Sequence, residues 1–520
     1  MIPAPAPLRG RRIPSRISAR AGRFAPPGPR PEVRPPMTDA APVTVIRNAA
    51  WIVAWDEAKG RHAYLHDGDV AFAGDRIVQV GGRYEGEAAV ELDGTDRMVA
   101  PGFVNIHSHP SSEPMNKGML DELGSKRLYM SSLYEFMPLF RPDPEGVQDC
   151  VKVALSELLM SGVTTLVDLS VPYEGWIDLL AQSGLRAYAA PMYRSARWYT
   201  KNGHVTEYEW DEAAGEKAME EAMGVIDAAV AHPSGRLSGI VSPSQIDTCT
   251  PELIQASAAE AKKRGLKMTL HAAQSVVEFH EITRRHGMTP IEWLNSLGVL
   301  DDNLIIGHGI FLNDHANANW PMANDFEMLK ASGAAVAHCP TVFQRRGITM
   351  RTLGRYLRGG IPMGLGTDTY PHNMVEEMRN ALTNSRVMAT NVYDIRTAQV
   401  IDMATTGGAA ILNNDQIGKL APGLKADLFT VDIRHRAMRP LRDPLSSMVY
   451  VAAERAVSDV YVDGRQVVKG GECLAFDLDR ALDGLEAAQR RAEAMFRQLD
   501  FAGRSHAEAA PYVYANEGAE

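Results

Sequence analysis

The chain has 520 residues, 45% of them hydrophobic and 23% charged, with a formal net charge of -10. That is a globular composition, long enough for one large domain and a smaller one, and it lacks the basic excess of a surface that reads nucleic acid. No apolar run is long enough to span a bilayer, and the four cysteines (Cys150, Cys249, Cys339, Cys473) form no CxxC pair. They read as reduced thiols of a cytoplasmic protein, and neither nucleic acid nor a membrane is an expected partner.

Residues 1–42 are rich in Pro, Ala and Arg, and Glu32 is the only acidic residue before Asp39. Such a segment cannot bury a core and is expected to be disordered. Arg11-Arg12 is not followed by an apolar region, which argues against an export signal. The prolines likewise argue against an amphipathic presequence. The plainest reading is an extension ahead of a working start at Met37.

Short β-rich runs occupy 43–98: Val43–Ile46, Trp51–Ala54, Asp69–Phe72 and Arg76–Val80, punctuated by Gly and Asp. They read as an antiparallel meander too small to stand alone. Runs of the same kind return over 423–475, at Ala426–Val431 and Val457–Val468. One small β-sandwich built from both chain ends is expected.

Between them, over 99–422, strand-like and helical stretches alternate. The strand-like runs are Phe103–Ile106, Val163–Leu169, Arg186–Met192, Leu237–Ser242, Lys267–Leu270, Leu304–Ile306, Ala334–Ala337 and Ile361–Leu365. Helical patterns at 146–161, 212–231, 251–265 and 325–331 separate several of them. Eight β-then-α units predict an α/β fold, a parallel (β/α)8 barrel of the TIM type, whose chemistry sits at the C-terminal ends of the strands. Polar residues fall there. His107 and His109 end the first run, two apart and therefore on one face. His271 ends the fifth, His308 the sixth, His338 the seventh and Asp368 the eighth. A His-X-His alone is as consistent with one core and one surface histidine as with half a metal site; the repetition at strand ends favours the metal site. His204, His232, His280, His286, His315 and His435 fall elsewhere and are expected to be structural or solvated. Residues 476–520 read as a surface-packed amphipathic helix, Arg480–Leu499, and a loose tail or an arm reaching a neighbouring subunit.

Pro101–His109, His271, Gly307-His308, His338-Cys339-Pro340 and Gly364–Asp368, with Ile417–Leu428 and Val462–Arg465 in the end segments, resemble the amidohydrolase superfamily. The likeness is to the branch of the cytosine, guanine and adenosylhomocysteine deaminases and the triazine hydrolases. It implies one divalent metal ion held by His107, His109, His271 and Asp368, with His308 close by. Zinc leads; iron, cobalt and manganese remain open, because a site of nitrogen and oxygen donors accepts several of these ions. The fourth run ends in Ser242-Pro243-Ser244-Gln245, without a metal-bridging lysine, so one ion is expected rather than two. The resemblance also implies a small-molecule substrate, a homo-oligomer and a metal-activated water. Asp368 would accept that water's proton, and a protonated His308 would stabilise the oxyanion.

Two departures narrow the chemistry. The deaminases carry His-x-x-Glu where this chain has His271-Ala272-Ala273-Gln274. That glutamate protonates a ring nitrogen, whereas a glutamine can only donate and accept hydrogen bonds. Gln274 therefore suits a carbonyl that needs orienting, and the expected reaction is hydrolysis of the carbonyl C–N bond of an amide, carbamate or urea. After Pro340, where many relatives carry Ser-Asn, the chain runs Thr341–Arg346, which predicts a more apolar pocket wall. Tyr370 and His372 are candidates to line the pocket with Gln274 and His308, and His338 stands between substrate contact and a structural role. The apolar wall favours a neutral substrate; Arg194 and Arg197, beside Trp198, leave room for an anionic one. The alternatives are deamination or dechlorination of a nitrogen heterocycle, and a non-catalytic scaffold, which the survival of all four ligands opposes.

Overall fold

The structure, a computed structural model, describes residues 41–516, so the expectation for residues 1–40 lies outside it. Eight parallel strands organise the fold: β1 (Phe103–Ser108), β2 (Val163–Asp168), β3 (Arg186–Ala189), β4 (Leu237–Gly239), β5 (Met268–Ala272), β6 (Leu304–His308), β7 (Ala335–His338) and β8 (Met363–Leu365). They pair in the orders β4-β3-β2-β1 and β5-β6-β7-β8. Isolated parallel bridges then join Ser108 to Asp368, Val241 to Met268 and Gln245 to His271, linking the edges of the two sheets. This is a TIM-barrel-like α/β fold.

Every residue of β1, β2, β5, β6 and β7 is buried, as expected of parallel strands covered on both faces. Alternate residues part company. Val104 and Ile106 pack with Val167, Ile240, Ile305 and Ala337 in one cluster, while Phe103 belongs to another, its ring 4.8 Å from that of Phe429. The helices begin and end on local signals. Thr250 accepts from Leu253 N ahead of Pro251, and the helix Pro251–Arg264 stops where Gly265 adopts φ +67°. Asp211 likewise accepts from Ala214 N at the start of Glu212–Ala231.

The chain ends build two further sheets. One holds Val43–Ala49, Gly68–Ala73, Arg76–Val80 and Val90–Asp93. The other holds seven strands, in which Leu428–Asp432 pairs antiparallel with Arg97–Pro101, so backbone hydrogen bonds knit the C-terminal part to the N-terminal part. Ile46, Val70 and Phe72 of the first sheet share a cluster with Ile52, Leu428 and Tyr461 of the second. An ion pair fastens these sheets to the barrel strands. Arg186, the first residue of β3, donates to Asp427 at 3.0 and 3.2 Å and also bonds Asp463.

The expected C-terminal helix runs Leu478–Leu499. It packs on the helix Val147–Met160, burying Ala481, Leu485, Ala488 and Phe496 against Phe136, Phe140 and Val153. Of the chain beyond it, expected as a loose tail or an arm, residues 511–516 are exposed and irregular, while the stretch just before them is held in place. Ala509 and Ala510 are buried in the same cluster, and Gly124 N donates to Ala509 O at 2.7 Å. Among the described residues no helix is long and apolar enough to cross a membrane.

Candidate metal centre and its cavity

The strand ends bring His107, His109, His271, His308 and Asp368 together. One donor atom each from His107, His271, His308 and Asp368 lies within 4.8 Å of all the others. His109 Nε2 joins them, 3.2 Å from both His271 Nε2 and Asp368 Oδ1. Backbone ties set this up: His109 N donates to Asp368 O at 3.0 Å, and Asp368 N donates to His107 O at 2.9 Å. Two glycines clear the space. A Cβ on Gly307 would stand 2.9 Å from His107 Cε1, and one on Gly366 would stand 2.5 Å from His107 Cβ. Ala273, His308 and Asp368 all hold φ between 54° and 90°, sparsely populated backbone for residues with a side chain and typical of functional sites.

The hydrogen bonds fit these residues to a cation. His109 Nδ1 donates to Leu169 O at 2.8 Å and His271 Nδ1 to Ser244 O at 2.6 Å. Each imidazole thereby turns an Nε2 lone pair inward, and the two lone pairs face each other at 3.2 Å. That arrangement is repulsive unless a positive centre lies between them. His107 is fully buried with neither ring nitrogen hydrogen-bonded. Nitrogen and carboxylate donors of this kind suit a divalent transition metal. The carboxylate divides its oxygens. Asp368 Oδ1 lies 3.4 Å from His107 Nε2 and 3.2 Å from His109 Nε2, whereas Oδ2 faces His308 Nε2 at 3.9 Å.

Burial lowers the pKa of His107 and, further, of His271, whereas at His109 the neighbouring Asp368 carboxylate outweighs burial and raises it. Burial would raise Asp368, but the surrounding histidines, His308 first, hold it well below the usual carboxylate range. Burial also takes His308 down to about 3. The protonated His308 expected from the resemblance is therefore not its resting form; the buried ring is a neutral imidazole.

A cavity of about 1000 Å³ opens onto this cluster. Gln274, 3% exposed, lines it with its Nε2 unpartnered. Glu278 positions it, accepting from Ala273 N at 2.6 Å and Gln274 N at 3.2 Å. Val342, Phe343 and Arg346, from the segment after β7, form part of the wall, and the Phe343 ring stands edge-on to His308 with centroids 4.5 Å apart. Met130, Leu133, Trp198 and Trp210 add further apolar surface.

Three expected wall residues do not line this cavity. The chain after β8 turns toward the helix Val147–Met160, where His372 is buried with Nδ1 3.7 Å from Glu157 Oε2. Tyr370 lies under the Arg345 guanidinium at 4.3 Å. His338 is 4% exposed, and burial lowers it to about 3. Conversely, Glu113, Arg141 and Glu278 escaped the sequence reading. The first two lie in the long segment after β1, which carries no periodic signal. Glu278 was legible only as the fourth residue of Ser275-x-x-Glu, a helix-start pattern.

A profile of the amidohydrolase family matches residues 98–467. A 5-methylthioadenosine/S-adenosylhomocysteine deaminase of Pelotomaculum thermopropionicum is 27% identical over 442 residues, covering 84% of this chain and 95% of that protein. A 5'-deoxyadenosine deaminase of Methanothermobacter thermautotrophicus is 26% identical, covering 82% and 94%. Among solved structures, a zinc-bound adenosine deaminase from Xanthomonas campestris superimposes with a TM-score of 0.73 at 21% identity, covering 88% of this chain and 99% of that one. The zinc complex of an atrazine chlorohydrolase from Arthrobacter aurescens gives 0.70 at 20% identity, covering 86% and 100%. At such identities the structural likeness is one of fold.

Proposed function

The chain belongs to the amidohydrolase family and is a metal-dependent hydrolase of carbon–nitrogen bonds other than peptide bonds; from there we propose that its substrate is a small molecule presenting the carbonyl C–N bond of an amide, carbamate or urea. The observation that carries this reading is Gln274, an amide that cannot transfer a proton, buried at the cavity wall. His107, His109, His271 and Asp368 would hold one divalent ion, zinc first, with iron, cobalt or manganese as alternatives. Such an ion, when bound, polarises a carbonyl and makes water acidic.

The protein's own groups then do the rest. Asp368 accepts a proton at Oδ2, the oxygen turned toward His308, and returns it to the leaving nitrogen. Neutral His308 donates an N–H to the developing oxyanion. Gln274 orients the carbonyl through its Nε2. Phe343 and Trp198 exclude water from around the reacting group. In the same reading the eight strands close as a (β/α)8 barrel, the two end sheets form a β-sandwich, and the protein works in the cytoplasm as a homo-oligomer, which sedimentation of the purified protein tests.

The deaminase relatives favour a second reading, deamination of an adenosine-like heterocycle. Turnover of a panel of amides, carbamates and ureas against adenosine, guanine and cytosine separates the two. Carbonyl hydrolysis that falls at least tenfold in Gln274→Glu supports the first; ammonia release from a heterocycle by the unaltered protein supports the second and removes the first.

A further inference from the structure

The hairpin that follows β3 pairs Ala196–Tyr199 with Glu207–Trp210, and Trp198 stands directly opposite Tyr208. Trp198 and Trp210 both line the cavity. Behind them lies Asp247, in the segment between β4 and the helix Pro251–Arg264, with no exposed surface. Its Oδ2 accepts from Trp198 Nε1 at 2.9 Å and from Tyr208 OH at 2.8 Å, so one oxygen gathers a donor from each strand of the hairpin. Its Oδ1 is buried without a hydrogen-bond partner among the described residues. The helix Val276–His286, which begins just past Gln274, closes the arrangement from the other side. Arg285 lies over the Tyr208 and Trp210 rings at 4.3 and 4.9 Å, and its Nη1 donates to Asp247 O at 2.7 Å. Tyr134 stands edge-on to Trp198 with centroids 4.8 Å apart and shares a hydrogen bond with Ser275, the neighbour of Gln274.

A fully buried carboxylate is costly, and its neighbours recover only part of that cost. Burial raises the Asp247 carboxyl above its ordinary range despite the two donors and the charge of Arg285. An apolar side chain in its place would avoid the cost but would leave the indole N–H and the phenol O–H buried without an acceptor. What the carboxylate supplies is a fixed position for both rings. We infer that Asp247 is a positioning residue for substrate selection: acting through Trp198, it holds an aromatic wall at a set distance from Gln274 and the metal ligands, so that the cavity selects a substrate whose apolar body lies against that wall. For the reacting group, though not for the wall, this rests on the reading of the centre as a carbonyl C–N hydrolase.

The test uses the zinc-loaded full chain and two ureas with the same reacting group, N-benzylurea and N-methylurea, followed by calorimetric binding and by turnover. A sample carrying 5-fluorotryptophan gives a fluorine NMR spectrum in which the Trp198 resonance is the one that Trp198→Phe removes. Benzylurea should bind the unaltered protein about tenfold more tightly than methylurea, because a phenyl ring leaves water. Asp247→Leu should shift and broaden the Trp198 resonance and bring the two affinities close together, with zinc content unchanged. Asp247→Asn keeps an oxygen that can accept both donors and should retain the resonance and most of the preference. Should Asp247→Leu not fold, Tyr208→Phe deletes one of the two donors and should move the same resonance and lower the preference by a smaller factor. A purely structural Asp247 would change thermal stability alone. Equal binding of the two ureas by the unaltered protein, binding of neither, or an Asp247→Leu or Tyr208→Phe protein with the Trp198 resonance and the preference intact would overturn the inference. The reading of the reaction fails apart from it: benzylurea bound selectively but not cleaved keeps the wall and removes the carbonyl chemistry, whereas two ureas bound alike and cleaved alike do the reverse.

Discussion

A methyl group on residue 307 would stand 2.9 Å from His107 Cε1 and 3.3 Å from His271 Cδ2, so the space between two imidazoles depends on one missing atom. Gly307→Ala should fold and yet bind zinc about 10–100-fold more weakly, the usual effect of disturbing a ligand's support; metal titration with a circular dichroism control checks it. Glu157 gives a second prediction. Burial alone would raise its carboxyl, but His372 and Lys117 hold it at about 2. A carboxyl held below its unfolded value of 4.5 contributes stability that is complete above that pH and is lost as the pH falls toward 2. Glu157→Gln should therefore cost about 2 kcal/mol at pH 7, a figure reduced for its quarter exposure, and the gap should close on acidification; denaturant unfolding across pH reads it. At this scale the histidines and Asp368 were legible in the sequence, because each ends a strand-like run. Arg141 and Glu113 were not, because only the folding of an aperiodic loop brings them to the cavity. Tyr370 and His372 misled, since nearness in sequence to Asp368 says nothing about where the turn after β8 goes.

The segment between β1 and the helix Val147–Met160 supplies Met130, Leu133 and Met137 to the cavity wall, and it is held from outside by the end of the chain. Arg504 bonds Glu135, Gln489 Nε2 donates to Met115 O at 2.8 Å, and Arg491 donates to Asp143 at 2.8 Å. Removing residues 500–520 should lower Tm by roughly 5 °C, equivalent to a few kcal/mol in a chain of this size. It should also raise KM about tenfold with metal content unchanged; an unaltered KM would mean that the arm does not shape the cavity. The major helices were legible from their periodicity and caps: 212–231 was read to the residue, and 251–265 overran the helix only by the capping Gly265. The strands Arg61–Leu65 and Val90–Asp93 were missed because their half-exposed, charged residues carry little apolar alternation. The burial of Ala509 and Ala510 was hidden as well, because two alanines signal nothing until Phe136 and Phe140 are seen beneath them.

At the scale of the whole molecule, the end sheets and the barrel strands depend on one another through Arg186, whose partner Asp427 is 1% exposed. Arg186→Met leaves Asp427 without its cation, while Asp463 keeps Lys425 at 3.2 Å, and should cost about 3–5 kcal/mol, lowering thermal stability without touching the centre. A chain beginning at Met37 keeps every described strand of the end sheets, the first being Val43–Ala49, and should keep full activity. Above all, the clustered imidazoles and Asp368 must hold a cation that the reaction requires. Metal analysis of the purified protein, joined to turnover before and after chelation, tests this most directly. The prediction is about one divalent ion per chain, activity lost on chelation and restored by zinc, and neither metal nor activity in His107→Ala. A folded, metal-free preparation that keeps its full turnover would contradict it.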